Sequence, residues 1–417
     1  METVGGYRLF FMPLMMKRLY IVFLLSMALL PSVHAQVAAQ QLKMAKTFRW
    51  TGTWATAPQF ITRNNMSART ELTGKTVRQI VHVSLGGNTL RLQLSNAYSK
   101  SPLYIKSVYI ANSLDSSAID VHSARYLEFA KKRAVVIPAG QSVMSDALQF
   151  HLKPLQRLAI TINYGNAAKD ITWHPGSRTT SYLLYGVSVP RTKFAHAAKA
   201  DYWYTIDAID VYGVENGSIA ILGNSITDGR GSTTNHQNRW PDIMSERLGG
   251  RLGVLNLGIG GNEILGYGLG DPAVKRFGRD ILGQRGLKAV IIFEGTNDIG
   301  HSRGNSEQVA AQMIEAYVRF AKEAHARGLK VFGATITPFK NHSYYTPFHE
   351  AARETVNEWI RTTKDFDGVI DFDKLMSDPN EPKALIPECQ EDWLHPNAEG
   401  YRRMGHYAAE RMAEFGF

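Results

Sequence analysis

The chain has one cysteine, Cys389, among its 417 residues. No intrachain disulfide can form, and a cysteine-ligated zinc or iron–sulfur site, which takes several thiolates, is excluded. No apolar run approaches the about 20 residues that a membrane-spanning helix needs; the stretch Leu19 to Leu30 stops at twelve. His-Glu-x-x-His and the Walker-type phosphate loop are both missing. Gly258-Ile259-Gly260-Gly261-Asn262 starts like a dinucleotide fingerprint, but its sixth place holds Glu263, so the pattern fails. Neither a metal nor a cofactor is expected. Charged residues make up 20% of the chain and hydrophobic ones 44%. That is an ordinary globular composition, which excludes collagen-like, coiled-coil and disordered chains.

What is present begins with a leader. Lys17 and Arg18 precede the apolar stretch, and Pro31, Ser32 and Val33-His34-Ala35 follow it. A basic start, a short apolar core and small residues before a cut make a secretory signal peptide. Met16 stands just before Lys17 and gives a well-proportioned alternative start. Cleavage is expected after Ala35, leaving residues 36–417 as a secreted or periplasmic protein with no membrane span. No cysteine near the cut offers a lipid anchor.

The net charge of +10 is unevenly spread. Residues 36–215 hold 21 Lys and Arg against 10 Asp and Glu, a net +11, whereas residues 216–417 hold 23 against 26, a net −3. A basic half is first of all a solvated surface; beyond that it favours an anionic polymer or surface. Export and the lack of a nucleic-acid motif argue against nucleic acid.

Two periodicities divide the mature chain. From Arg49 to about Val189 the runs are short and strand-like: Val77 to Val83, Thr89 to Leu94, Leu103 to Ile110, Ala134 to Ile137 and Leu158 to Ile162. Turn residues such as Gly86-Gly87-Asn88 and Pro138-Ala139-Gly140 separate them. This predicts an antiparallel β-sandwich of jelly-roll type over residues 36–200. Residues 201–215 read as a connector, its aromatics Tyr202, Trp203 and Tyr204 marking a packed joint. From 216 to 417, apolar runs at Ser218–Leu222, Gly253–Leu257, Ala289–Phe293, Val331–Ile336 and Gly368–Asp371 alternate with amphipathic stretches such as Ser306–Ala326 and Glu350–Thr363. Strands alternating with helices predict an α/β domain with a parallel sheet covered on both faces.

Polar residues gather where these strands end. Gly223-Asn224-Ser225-Ile226-Thr227-Asp228-Gly229 follows the first, placing Ser225 between a strand and a helix N-terminus; a serine there is commonly only a cap. Gly260-Gly261-Asn262 follows the second, and glycine admits a ligand close to the backbone. Glu294-Gly295-Thr296-Asn297-Asp298 follows the third. Asp392-Trp393-Leu394-His395 sets a carboxylate and an imidazole three residues apart, so the acid can fix the ring's tautomer. In the first half, Thr172-Trp173-His174-Pro175-Gly176-Ser177-Arg178 is a polar loop; His174 and Arg178 are candidate substrate contacts, against the plainer reading of a turn that packs Trp173.

Taken together, the four segments resemble the GDSL, or SGNH, hydrolase family. Its blocks match Ser225, Gly261, Asn297 and His395 in that chain order, with Asp392 as the triad acid and Asn224 where the family commonly has aspartate. The resemblance implies a flavodoxin-like hydrolase domain over 216–417 and a serine carboxylic-ester hydrolase. Its nucleophile is Ser225, its triad partners are Asp392 and His395, and its oxyanion donors are Ser225, Gly261 and Asn297. Gly52-Thr53-Trp54-Ala55-Thr56-Ala57-Pro58 and Thr172-Trp173-His174-Pro175 resemble the N-terminal β-domain of a secreted subgroup. Secretion and the added sandwich point to a short-chain acyl ester, such as acetyl, on carbohydrate. A lipid-type acylhydrolase (lysophospholipase, lipase or arylesterase) and a non-catalytic glycan-binding protein are the alternatives.

Overall fold

The strict alternation of Thr89 to Leu94 puts three leucines on one face. In the strand Gly87–Ser95, Leu90, Leu92 and Leu94 are buried while Thr89, Arg91 and Gln93 stay partly exposed. The computed structural model describes residues 50–61 and 71–417. The leader expected over 1–35, with Met16 and the cut after Ala35, lies outside the described residues.

Two large antiparallel sheets and one two-stranded ladder make up the first half. In the five-stranded sheet, Trp50–Ala55, Ile206–Tyr212, Gly87–Ser95 and Ser142–Met144 lie in that order, and Leu148–Leu152 also pairs with Gly87–Ser95. The seven-stranded sheet is centred on Lys75–His82, Arg157–Tyr164 and Leu103–Asn112. Leucines of the first sheet and Val77, Val81, Ile160 and Ile162 of the second share one apolar core.

The stretch 201–215, read from the sequence as a connector, carries paired strands. Trp203–Tyr204 pairs with Trp173–His174, and Ile206–Tyr212 sits between Trp50–Ala55 and Gly87–Ser95. Its periodicity is concealed because residues 206–211 are buried on both faces and include two aspartates. Asp210 is paired with Arg91 at 2.8 Å, and Asp207 accepts a hydrogen bond from Gln93.

The second half is a five-stranded parallel sheet whose strands are Ser218–Gly223, Gly253–Gly258, Leu287–Phe293, Lys330–Ala334 and Gly368–Ile370. In space they run second, first, third, fourth, fifth, the flavodoxin-like order. Alternate residues face opposite layers. Ala220, Leu222, Val290 and Ile292 pack with the helices Ser306–His325 and Pro347–Thr362. Ile219, Ile221, Ala289 and Ile291 pack with Trp240–Arg247 and Ala398–Glu414. Ligands of such sheets bind beyond the strands' carboxyl ends, where the order reverses around the first strand.

The halves are packed together within the single compact unit Trp50–Phe417. Gly52 N–H donates to Arg285 O at 2.9 Å, and a Cβ at Gly52 would meet Leu255 at 2.8 Å. Val254 N–H donates to Ser84 Oγ at 3.0 Å. Ala55, Ala57 and Ala208 join the same apolar core as Leu222 and Leu255.

Candidate active site

The first parallel strand ends at Gly223, and the short helix Ser225–Asp228 starts two residues on. Asn224 is the N-cap: its side-chain oxygen accepts from Ile226 N–H at 3.1 Å. Because Asn224 takes the capping role, the Ser225 hydroxyl is left for another partner. That partner is His395, whose Nε2 lies 2.8 Å from Ser225 Oγ. Both residues are mostly buried, at 8% and 7% exposure.

The turn that carries His395 is built by its own backbone. Trp393 adopts a left-handed φ of 65°, and Glu391 N–H donates to His395 O at 2.8 Å. Asp392 Oδ1 accepts from the backbone N–H groups of Leu394 (3.2 Å) and His395 (2.9 Å). Both carboxylate oxygens lie within reach of His395 Nδ1, at 3.0 and 2.9 Å. Burial works against the Asp392 carboxylate, but these hydrogen bonds outweigh it and hold the group below its usual range. Burial pushes the His395 imidazole below its ordinary value of 6.5, and Asp392 opposes this without cancelling it.

Gly261 and Asn297 stand on the loops after the second and third strands. Gly261 has a φ of 68°, the left-handed region that favours glycine. Asn297 is held at both ends of its amide: Nδ2 donates to Asn262 O at 2.8 Å, and Tyr344 OH donates to Oδ1 at 3.2 Å. That leaves a second Nδ2 hydrogen. Arg276, fully buried, donates to Asn262 Oδ1, Leu257 O and Gly223 O, tying together the ends of the first two strands. Asp298 accepts from Ile264 and Leu265 N–H and is pushed up to about 7 by burial.

Ser225, Gly261, Asn297, Asp392 and His395 all line one cleft of about 450 Å³. Its other wall comes from the first half, through Gln59, Pro175, Gly176 and Arg178. Arg178, a candidate substrate contact from the sequence, lines this cleft. His174 does not: it is 3% exposed, and both ring nitrogens are taken by protein groups. Nδ1 donates to Ala57 O at 2.9 Å, and Nε2 lies 3.0 Å from Asp228 Oδ1. Asp228 Oδ2 accepts from Gly260 N–H at 2.9 Å, so His174 steadies the loop that presents Gly261. Gly176 is required here, since a Cβ would fall 1.9 Å from Asp228 Oδ2.

His174→Phe keeps the stacking on Trp203, whose ring centroid is 5.8 Å away, and removes the polar contacts. Asp228, 3% exposed, then loses its hydrogen bond from the imidazole. We expect a loss of about 1–3 kcal/mol, the usual result of leaving a buried acceptor without its partner. Asp228→Asn on the same background should recover part of it. The urea midpoint with unchanged slope is the measurement; a shift below about 1 kcal/mol would remove His174 from this role.

Sequence reasoning passed over Asp228, His342 and Tyr344. Asp228 lies within the Ser225 segment and was visible there. His342 and Tyr344 reach the cleft from the loop after the fourth strand, where no strand-end motif marks them. Among the described residues no group of His, Cys, Asp and Glu is arranged to hold a metal ion.

Residues 221–403 match the GDSL-like Lipase/Acylhydrolase family. The uncharacterized lipoprotein YqeF of Bacillus subtilis is 30% identical over 145 residues, covering 32% of this chain. The chain spans 56% of that relative's length. A putative lipolytic protein of the G-D-S-L family from Desulfitobacterium hafniense aligns at 23% identity and a TM-score of 0.36, covering 46% of this chain and 98% of the other. Est24, a carbohydrate acetylesterase from Sinorhizobium meliloti, aligns at 18% identity and a TM-score of 0.39, covering 48% and 99%. Over residues 221–403, the chain is thus similar to the GDSL-like lipase/acylhydrolase family.

Proposed function

We propose that the protein is a serine carboxylic-ester hydrolase that removes short acyl groups, acetyl foremost, from saccharide hydroxyls. The observation that carries the reading is the 2.8 Å approach of Ser225 Oγ to His395 Nε2, with Asp392 on the other ring nitrogen. His395 accepts the Ser225 proton as Oγ attacks the ester carbonyl carbon. The carbonyl oxygen becomes an oxyanion. Its donors are Ser225 N–H, which has no intrahelical acceptor at the first helical position, Gly261 N–H and the second Asn297 Nδ2 hydrogen. One such donor is worth about 2.7–4 kcal/mol in the transition state. The carbon–oxygen bond to the alcohol then breaks, and His395 returns its proton to the leaving oxygen. Water, losing a proton to the same ring, hydrolyses the acyl-enzyme.

Gln59, Arg178, Arg230, Asn297 and His342 give the cleft a polar lining that suits a hydroxyl-rich alcohol. The β-domain proposed over 36–200 serves as one wall of the cleft. Secretion or a periplasmic site rests on the leader pattern of residues 1–35 and is compatible with a relative named as a lipoprotein. No helix among the described residues is long and apolar enough to cross a membrane.

A lipid-type reading has one observation in its favour. Tyr267 and Leu269 are exposed at 69% and 55%, and Leu269 lines the cleft. A series of 4-nitrophenyl esters from acetate to dodecanoate separates the two. We expect kcat/KM to fall at least about tenfold, some 1.4 kcal/mol, between the acetyl and octanoyl esters, with acetate released from an acetylated glycan. The opposite trend would establish the lipid reading, and no turnover of any ester would leave a binding protein.

A further inference from the structure

Resting on the hydrolase reading, we infer that Arg178 forms an anion subsite in the Ser225 cleft. The alcohol part of the ester then carries a carboxylate, as an acylated uronic acid residue does.

The Arg178 guanidinium makes no hydrogen bond or ion pair among the described residues, and its Nε is buried without an acceptor. A buried donor left unmet is costly, so such a group calls for a ligand or another explanation. Arg178 as a whole is half-buried, whereas fully buried arginines here are supplied: Arg276 with three acceptors, Arg353 with Glu350 and Asp373. Arg230, also on the cleft, has Glu391 and Asp392 at 4.0 and 3.9 Å. The cleft's own carboxylates are engaged elsewhere, Asp392 by His395 and Asp228 by His174 and Gly260. Arg178 therefore faces the nucleophile's cleft with its charge unpaired.

The backbone holds it there under strain. Arg178 has a φ of 49°, an unfavourable value for a residue with a Cβ. Neighbouring groups enforce it: Asn235 N–H donates to Arg178 O at 2.9 Å, and Thr180 N–H donates to Asn235 Oδ1 at 2.8 Å. Ser177 Oγ donates to Thr179 O at 2.7 Å, and Gln237 Nε2 donates to Thr179 Oγ1 at 2.8 Å. The chain thus fixes a cation from the first half on a rigid loop over the second half's cleft. A planar guanidinium with free donors matches a carboxylate in bidentate fashion.

The test compares mono-O-acetylated methyl glucuronide with the matching acetylated methyl glucoside, which differ by a carboxylate in place of a hydroxymethyl group. In the full chain we expect kcat/KM to favour the glucuronide at least tenfold, with the ratio declining as salt rises. Arg178→Gln should bring the ratio close to one, and Arg178→Lys should keep part of it. Unchanged circular dichroism would establish that both variants fold. A wild-type ratio near one, or a ratio that Arg178→Gln leaves intact, overturns the subsite. A second arm needs no turnover: calorimetric titration of Ser225→Ala protein with methyl glucuronide and methyl glucoside. Tighter glucuronide binding that Arg178→Gln abolishes supports the subsite, and equal or absent binding of both overturns it. Failure to hydrolyse either ester, with the titration preference intact, overturns only the hydrolase reading.

Discussion

Ser225→Ala should abolish turnover of a good ester substrate, lowering kcat by 10⁴- to 10⁶-fold, the range seen when a nucleophile that acts as a unit with its base is removed. The structure explains why the loss should be chemical. The Ser225 hydroxyl has one side-chain partner, His395, and the helix it begins is capped by Asn224. Deleting one oxygen at a cleft wall opens no core cavity, so the melting temperature should move by only a few degrees. The donors around Gly261 and Asn297 remain, so some rate above the uncatalysed reaction should survive. Turnover within tenfold of the parent protein would show that Ser225 is not the nucleophile.

Asp392→Asn should come next in size, with a fall on the order of 10⁴-fold. Asparagine can still accept the backbone N–H groups of Leu394 and His395, so the turn should hold. Its amide nitrogen, however, donates toward His395 Nδ1. The ring must then carry its proton on Nε2, facing Ser225, where it cannot accept another. This loss should persist at alkaline pH, because it reflects the wrong tautomer and not protonation. The parent protein's acid limb tests the same ring. In the proposed mechanism the base is the neutral His395 imidazole, and burial lowers its affinity for protons. The acid limb of kcat/KM should therefore lie below 6.5, with activity retained at a pH where an exposed histidine is half charged. A pH–rate profile of both proteins decides the matter; a loss below tenfold in the variant, or a limb above 6.5, would count against the Asp392–His395 pairing.

How much of this was legible beforehand depended on what each residue has to bury. Strands such as Ser218–Gly223 and Leu287–Phe293 are covered on both faces by apolar layers, so they stand out as continuous apolar runs. The candidate site residues Ser225, Gly261 and Asn297 follow closely after such runs, so the segments that carry them were visible as strand ends. Ile206–Tyr212 is just as buried, but Asp207 and Asp210 break its pattern. Their partners, Gln93 and Arg91, come from a strand more than a hundred residues earlier. Local reading cannot see compensation at that distance, so the strand passed for a connector. His174 shows the same limit. Its loop was identified as polar, but its partner Asp228 is set by tertiary packing. Tyr344, the donor to Asn297 Oδ1, lies in a loop without periodicity.

The pairing of Trp50–Ala55 with Ile206–Tyr212 also dictates an order of events at the ribosome and beyond it. The opening strand has no neighbour in its sheet until Tyr212 has been made. Gly52 waits further for Arg285, and Ala55 for the apolar layer around Leu255. Contacts so far apart along the chain close slowly, because loop entropy must be overcome before they contribute. The first half can close its own core once Tyr212 is made, because every member of that core comes from Trp54 to Val211. The seam carried by Trp50–Ala55 stays open longer, until Leu255 and Arg285 have followed.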